Sequence, residues 1–320
     1  MTALPALPPP PPLGEPPMRD RVVILGRRKS GKTIFLARLY HHLFQTPGPL
    51  RLHALSGPAH LRMVEIVAEL EKGRWPAATG QASAMEFEVW LDGRTERVVA
   101  LDYPGEVFRR AFMEEAEGPD VDELLRHVDR AAAVILLIDP ALAVRGEASE
   151  SAEDDYGMVQ ALRRIRASPG GERVPVSLVL TKLDANRATV EDAGGLRPFV
   201  EQHYGVVLRA APEAHLFACA AVSTRADPLG HRVPDPATPP VGVAEPLLSC
   251  LRRLALLRRD EALQLQAREG AAADLRQRAV AELEARGERR VLWVVWVLAA
   301  LVIVTAAVVT LVALEWSRPG

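Results

Sequence analysis

Short apolar runs alternate along the chain with stretches whose apolar residues recur at helical spacing. The runs cover residues 22–25, 85–91, 98–101, 132–138, 174–180 and 216–222. The run 132–138 is apolar at every position, as a central parallel strand covered by helices on both faces must be. This alternation predicts an α/β domain over residues 20–258 with a doubly wound, mostly parallel sheet.

The longest apolar stretch lies near the C-terminus. Residues 291–314 contain no charged side chain, and two threonines are their only polar members. As a helix this stretch would span about 36 Å, against about 30 Å for the hydrocarbon core of a bilayer. Arginines cluster just before it, within 286–290, whereas only Arg318 follows it. The pattern predicts a single transmembrane helix in the cell (inner) membrane, with the N-terminal domain cytoplasmic and a short non-cytoplasmic tail at 315–320. A buried core helix is the alternative.

Two further segments differ from the domain in composition. Residues 1–19 are rich in proline, which lacks the backbone N–H, and this predicts a disordered or polyproline-like tail. Residues 259–290 are rich in strong helix formers and predict a juxtamembrane helix. Leu265, Ala272 and Ala279 recur there every seven residues, but glycines interrupt the pattern. Dimerisation through this helix therefore stays open.

Charge and cysteine content exclude several classes of function. Of the 320 residues, 39 are Lys or Arg and 41 are Asp or Glu, which gives a net charge of -2. No overall basic field exists to hold a nucleic-acid backbone, so we expect no nucleic-acid partner. The two cysteines, Cys219 and Cys250, are too few for a disulfide framework or a zinc site of the CxxC type.

The strongest chemical signal is a glycine-rich loop directly after the apolar run 22–25. It fits the pattern G-x-x-x-x-G-K-[ST] and reads Gly26-Arg27-Arg28-Lys29-Ser30-Gly31-Lys32-Thr33. The backbone N–H groups of such a loop wrap a phosphate, and the helix that follows points its positive end at the same place. We predict that the loop binds nucleotide phosphates, that Lys32 reaches the outer phosphates, and that Thr33 ligates Mg²⁺.

A second motif ends the run 98–101 and reads Asp102-Tyr103-Pro104-Gly105-Glu106. An acid at the carboxyl edge of a strand beside the phosphate loop can hold Mg²⁺, and a glycine amide can bond a γ-phosphate. These roles fall to Asp102 and Gly105. The alternative is an ordinary turn with a Pro-Gly corner. A rival acid is Asp139, after the run 132–138, which an ATPase would use for magnesium.

The third motif, Thr181-Lys182-Leu183-Asp184, follows the run 174–180 and matches the [NT]KxD signature of guanine nucleotide-binding proteins. A carboxylate at Asp184 would accept hydrogen bonds from the guanine N1–H and 2-amino groups. Adenine offers no such donor pair and would leave the carboxylate unpaired. The stem of Lys182 would pack along the base. This motif favours GTP over ATP.

In this order the three motifs resemble those of the Ras-like, translation-factor-related class of P-loop GTPases, over about residues 20–230. The resemblance implies GTP or GDP and Mg²⁺ as ligands. It also implies a loop that supports the base, for which Ser223 is the candidate. A switch threonine closes over magnesium and the γ-phosphate in that class, and Thr79 is the candidate here, with Ser56 and Ser83 as competitors.

The stretch between the phosphate loop and the second motif is longer than a minimal Ras-like domain requires. A helical insertion near 57–73 is expected to fill it. Together with the predicted anchor, the insertion resembles bacterial membrane-anchored double-GTPase-like proteins, and distantly the membrane-bound β subunit of the signal recognition particle receptor.

Glu106 departs from the class that the motifs resemble. Ras-like proteins place a glutamine there, and translation factors a histidine, to orient the attacking water. A carboxylate at this position would be repelled by the γ-phosphate unless it were protonated or paired, so slow hydrolysis is expected. Arg109 and Arg110 follow on a helical segment and are candidates to stabilise the transition state.

The sequence thus predicts a membrane-anchored GTP-binding protein that is a slow GTPase and acts as a nucleotide-dependent switch read by a protein effector. Its catalytic candidates are Lys32, Glu106 and Thr79, and its candidate magnesium ligands are Thr33, Asp102 and Thr79. Two alternatives stay open: a nucleotide-binding scaffold that does not hydrolyse, and a P-loop ATPase that uses Asp139.

Overall fold

A computed structural model describes most of the chain. It covers residues 19–26, 29–46, 48–77, 83–102, 105–114, 116–145 and 148–316. Within these ranges the side chains of residues 83, 101, 102, 105, 106, 145, 148–154, 279–291 and 302–316 are not described. Nearly all of the predicted proline-rich tail and residues 317–320 of the predicted C-terminal tail lie outside the described residues.

Within the described residues, the main sheet has seven strands in the order β2-β3-β4-β1-β5-β6-β7. The strands are β1 (Arg21–Gly26), β2 (Arg51–Ala54), β3 (Ser83–Leu91), β4 (Arg94–Asp102), β5 (Ala131–Ile138), β6 (Val176–Leu180) and β7 (His215–Ala218). From β4 to β7 all neighbours are parallel, whereas β2 and β3 add an antiparallel edge. The predicted α/β fold with a mostly parallel sheet is confirmed.

Helices cover both faces of this sheet. They are α1 (Lys32–Gln45), α2 (Gly57–Glu71), α3 (Gly105–Phe112), α4 (Pro119–Asp129), α5 (Pro140–Arg145), α6 (Ala148–Ala167), α7 (Leu183–Asp192), α8 (Leu196–Ala210) and α9 (Glu245–Trp316). A small hairpin of β8 (Thr224–Ala226) and β9 (Arg232–Pro234) precedes α9. Every residue of β1 and β5 is buried, which explains why their sequences show no polar alternation.

Two hydrophobic cores lie on opposite faces of the sheet. Alternate residues of β1 supply them: Val23 points into one core and Ile24 into the other. The first core also holds Phe199 and Tyr204 of α8, and the second holds Phe35 of α1. The strands are thus fixed on both sides, and the loops at their carboxyl ends start from rigid positions.

Helix α2 occupies the stretch near 57–73 where a helical insertion was predicted, and the short strand β2 precedes it. Ser56 caps α2, because its hydroxyl accepts a hydrogen bond from the Ala59 N–H at 3.3 Å, and Pro58 follows in the first turn. The buried face of α2 includes Met63, Ile66 and Leu70, which join the second core. Ser56, a competitor for the switch position, therefore has a structural role.

The chain divides into two compact units, Met1–Leu257 and Arg258–Gly320. In the first unit, α9 contributes Leu247 and Leu251 to the second core. The second unit continues as helix through the predicted juxtamembrane segment and the predicted span 291–314. Within the part of the chain that the structure describes, no helix is both long and apolar enough to cross a membrane, so the predicted transmembrane helix is not found there. The side chains of 302–314 lie outside the described residues.

A buried polar pair joins β1 to α4 at the amino end of the sheet. Arg21 is 4% exposed, and its guanidinium donates a hydrogen bond to His127 Nδ1 at 2.8 Å. The acceptor nitrogen must be unprotonated, so the imidazole is neutral. Burial lowers the pKa of His127, and the charge of Arg21 lowers it further.

We predict a pH dependence of stability from this pair. The pKa of His127 is lower in the folded state than the unfolded value of about 6.5, so its stabilising effect is present above that pH and is lost as the pH falls below it. Chemical denaturation at pH 7.5 and 5.5 should show a smaller loss of stability in His127→Gln than in the wild type. The same change at exposed His53 is the control, and an equal effect in both variants would contradict the prediction.

Candidate functional site

The three predicted motifs lie at one edge of the sheet. The phosphate loop follows β1, the second motif begins at Asp102, the last residue of β4, and Thr181 follows β6. Since β4, β1, β5 and β6 are consecutive and parallel, their carboxyl ends meet at the same edge. Ligands of open α/β sheets bind at this edge.

The backbone of the phosphate loop is shaped to face an anion. Lys29 and Gly31 have φ values of 65° and 83°, both left-handed, and such reversals form concave nests of N–H groups. Helix α1 begins at Lys32, directly after Gly31. The positive end of its dipole therefore lies at this loop, which favours an anionic ligand.

Close approach explains the glycine at the start of the loop. A Cβ atom on Gly26 would lie 2.6 Å from Ser30 Oγ and 2.8 Å from Leu137 O, both closer than side chains tolerate. Ser30 is fully buried, and its Oγ has no hydrogen-bond partner among the described residues. The Lys32 ammonium donates to Gly26 O at 2.7 Å and so lies across the loop. A tight loop with a lysine and an unsatisfied hydroxyl fits a phosphate group.

Thr181 connects the phosphate loop to the third motif. Its hydroxyl lies 2.9 Å from Ser30 O and 3.0 Å from Ile138 O, and its N–H donates to Ile138 O at 2.8 Å. The side chain is buried, so these contacts are shielded from water. The phosphate loop and the third motif are thereby held at a fixed separation.

Asp184 lies in the first turn of α7, where Thr224 orients it. The Thr224 hydroxyl donates to Asp184 Oδ2 at 3.0 Å. A carboxylate oxygen accepts two hydrogen bonds, so this contact is compatible with a further donor from a ligand. The predicted base-supporting residue, Ser223, lies one position earlier, and its carbonyl accepts the Asp235 N–H at 2.8 Å. Thr224 is thus the side chain that the structure brings to Asp184.

The segment that carries Thr224, residues 218–242, is held together where it begins and ends. Ala220 and Val241 form an isolated bridge, and a Cβ on Gly242 would lie 2.3 Å from Ala218 O. On the far side, Trp75 Nε1 donates to Arg232 O of β9 at 2.9 Å. The segment after α2 is therefore hydrogen-bonded to the hairpin formed by β8 and β9.

The second motif is placed by its backbone. Asp102 ends β4 and Gly105 begins α3, which also contains Glu106. The side chains of Asp102 and Glu106, and the whole of Thr79, lie outside the described residues. Further along the chain, Arg109 and Arg110 are 2.9 Å from Glu114 and Asp120, respectively. Either arginine would have to break an ion pair to reach a phosphate.

Asp139, the rival acid, is occupied by the third motif. Its Oδ2 accepts from Lys182 Nζ at 2.6 Å, and its Oδ1 accepts from the Ala141 N–H at 3.0 Å at the start of α5. Its carbonyl also accepts from the Tyr204 hydroxyl at 3.1 Å. A carboxylate bound in this way is poorly suited to hold magnesium for an ATPase.

Comparison with known proteins identifies the phosphate-loop region. Residues 23–171, just under half of the chain, match the family model of Double-GTPase 1. The resemblance to double-GTPase proteins is therefore confirmed over these residues. The match supports a GTP-binding protein with guanine nucleotide as its ligand. The search of curated proteins returned no match.

Solved structures of GTP-binding proteins also resemble the chain. One is Roco2 RocCORdC of Methanosarcina barkeri bound to GDP, with 17% identity, a TM-score of 0.30, and coverage of 65% of this chain and 45% of that one. Another is the putative nucleolar GTP-binding protein 1 of Plasmodium falciparum, with 10% identity, a TM-score of 0.41, and coverage of 80% and 96%. The chain thus spans less than half of the Roco chain.

We predict that Thr224 matters more than Ser223 for guanine nucleotide binding. Thr224→Val keeps the shape of the side chain but removes the donor to Asp184, which should weaken GDP binding about tenfold, the effect of one charge-assisted hydrogen bond. Ser223→Ala is the matched control and should leave GDP binding within about twofold of wild type. Titration calorimetry measures both, and a larger loss in Ser223→Ala would reverse the assignment.

Proposed function

We propose that the chain is a GTP-binding switch that hydrolyses GTP slowly and acts at a membrane. The observation that supports it most is the contact between Ser30 and Thr181, and Thr181 lies three residues before Asp184. Through this contact a loop suited to phosphate and a carboxylate suited to guanine form one unit. One nucleotide could then contact the loop with its phosphates and the carboxylate with its base.

The choice of GTP over ATP depends on Asp184. A carboxylate held by Thr224 pairs with the two donors of guanine, whereas adenine leaves it unpaired, and such sites discriminate by about 10⁴ or more. The ATPase alternative needs Asp139 as its magnesium ligand, but that carboxylate is taken by Lys182 and by the start of α5. GTP is therefore the nucleotide that we propose.

Magnesium is proposed as the accompanying ion. Thr33 is the second residue of α1, directly after Lys32, and Asp102 ends the strand next to β1, so the oxygen donors that Mg²⁺ prefers come from adjacent elements. Thr79 is the proposed third contributor, from the switch. The ion would neutralise charge on the outer phosphates, while Lys32 binds and orients them.

Slow hydrolysis is proposed because of Glu106. At this position a carboxylate is repelled by the γ-phosphate and orients the attacking water poorly. Arg109 and Arg110 are held in ion pairs, which either side chain would have to break to reach a transition state. A long-lived GTP state suits a switch that a protein effector reads. The same arguments favour the alternative of a scaffold that never hydrolyses.

Membrane attachment is proposed for residues 291–314. The sequence there is uncharged, and the described apolar side chains at Trp293, Trp296 and Leu301 are exposed. The arginines that precede the segment favour a cytoplasmic domain at the cell membrane, and the helix over 259–290 offers a surface for dimerisation. Flotation of the full chain with lipid vesicles, compared with residues 1–290, tests the attachment. Equal flotation would refute it.

Single-turnover phosphate release from bound GTP tests the proposed function. Wild type should release phosphate slowly, and Glu106→Gln should change that rate while GTP binding stays within about twofold. Lys32→Ala should abolish GTP binding, since the ammonium compensates phosphate charge in the ground state as well.

Other outcomes would overturn parts of the proposal. Equal loss of GTP binding in the Glu106 and Lys32 variants would contradict the division of roles. No phosphate release from wild type or from Glu106→Gln would favour the scaffold that does not hydrolyse.

A further inference from the structure

Asp139 and Lys182 form an ion pair beside the predicted base site. The carboxylate of Asp139 follows β5 and is 4% exposed, whereas the side chain of Lys182 is 42% exposed. Their Oδ2 and Nζ atoms are 2.6 Å apart. The pair therefore links a buried acid to a lysine that borders the predicted base site.

Stability alone does not explain a charge at Asp139. Burying a carboxylate carries a desolvation cost that pairing with one lysine only partly offsets. The other hydrogen bond of this carboxylate, from the Ala141 N–H, caps the start of α5, and a neutral asparagine caps a helix equally well. The charge is required only by Lys182.

Lys182 is held at its backbone as well as at its ammonium. Its φ is 54°, a left-handed value that is uncommon for a residue with a side chain. Its carbonyl accepts a hydrogen bond from Asn186 Nδ2 at 2.9 Å, and Asn186 is buried. Because both ends are held, the four-carbon stem between them has few accessible conformations. Lys182 lies two residues before Asp184.

Ordering a lysine side chain costs conformational entropy, because a long unbranched side chain gives up many rotamers. A stem that is ordered before the ligand arrives spares that cost at the moment of binding, which raises affinity without a new contact. A flat base whose edge is hydrogen-bonded to Asp184 would pack against such a stem.

We propose that Asp139 is a positioning residue for the guanine site, which holds the stem of Lys182 in place against the base. This role rests on the proposed function, because it presumes that guanine binds at Asp184. Asp139 acts only through Lys182 and touches neither the phosphates nor the attacking water. The base is common to GTP and GDP, so the two nucleotides benefit equally.

Asp139→Asn tests this role, because asparagine keeps the capping oxygen and the shape but loses the charge. Its Kd for GDP and for GTP should each rise about tenfold, while the rate of single-turnover phosphate release from bound GTP stays unchanged. If Asp139 had a purely structural role, Asp139→Asn would instead lower the unfolding temperature of the nucleotide-free protein and would not specifically weaken nucleotide binding. The matched control is Asp129→Asn, which breaks the surface pair between Asp129 and Arg164 at 2.7 Å.

A double-mutant cycle with Lys182→Met completes the test. Methionine keeps an unbranched stem without the ammonium, so adding Asp139→Asn to it should not change the Kd for GDP further. An equal tenfold loss in the Lys182→Met background, or unchanged or tighter GDP binding by Asp139→Asn alone, would overturn the positioning role. If wild type binds GDP but the effects of the two substitutions on the Kd add, only the positioning role is refuted. Wild type that fails to bind GDP refutes the proposed function as well.

Discussion

The contact between the Thr181 hydroxyl and the carbonyl of Ser30 is the interaction on which the site depends. It joins a loop from β1 to a loop from β6, two strands that are separated only by β5. Neighbouring strands are about 4.8 Å apart, so the carboxyl ends of β1 and β6 lie about 10 Å apart, and the loops that follow them approach each other until Thr181 contacts Ser30. The two cores on either face keep those strands in place.

Much of the fold could be predicted because buried parallel strands leave a plain signal. The run 132–138 is almost the whole of β5 (Ala131–Ile138), and the run 174–180 contains β6 (Val176–Leu180). Short edge elements leave little signal. In β2 only Leu52 is fully buried, so its four residues have no apolar run. More than half of the run 216–222 lies beyond β7, because its later apolar residues fill the core without joining the main sheet.

The candidate site was predictable in outline but not in its partners. Motifs indicate which loops are the candidates to bind phosphate and base, since their spacing follows from the chemistry of the ligand. They do not show which side chains of an irregular segment meet. Ser223 stays the predicted base-supporting residue, and the structure adds the contact of Thr224 with Asp184. The pairing of Asp139 with Lys182 joins residues that are 43 positions apart, and no local pattern encodes it.

The family match and the contacts bear on different halves of the site. Residues 23–171 include the phosphate loop and the second motif but end before Thr181. The proposed preference for guanine therefore depends on residues beyond the matched range, and above all on Asp184.

The most direct measurement compares the Kd values of wild type and Asp184→Asn for GTP and for xanthosine triphosphate. Asparagine replaces one acceptor oxygen with a donor NH₂, which suits xanthine better than guanine. The account predicts that the variant loses affinity for GTP and gains affinity for xanthosine triphosphate, a change that general destabilisation cannot produce. A variant with the preference of wild type would contradict it.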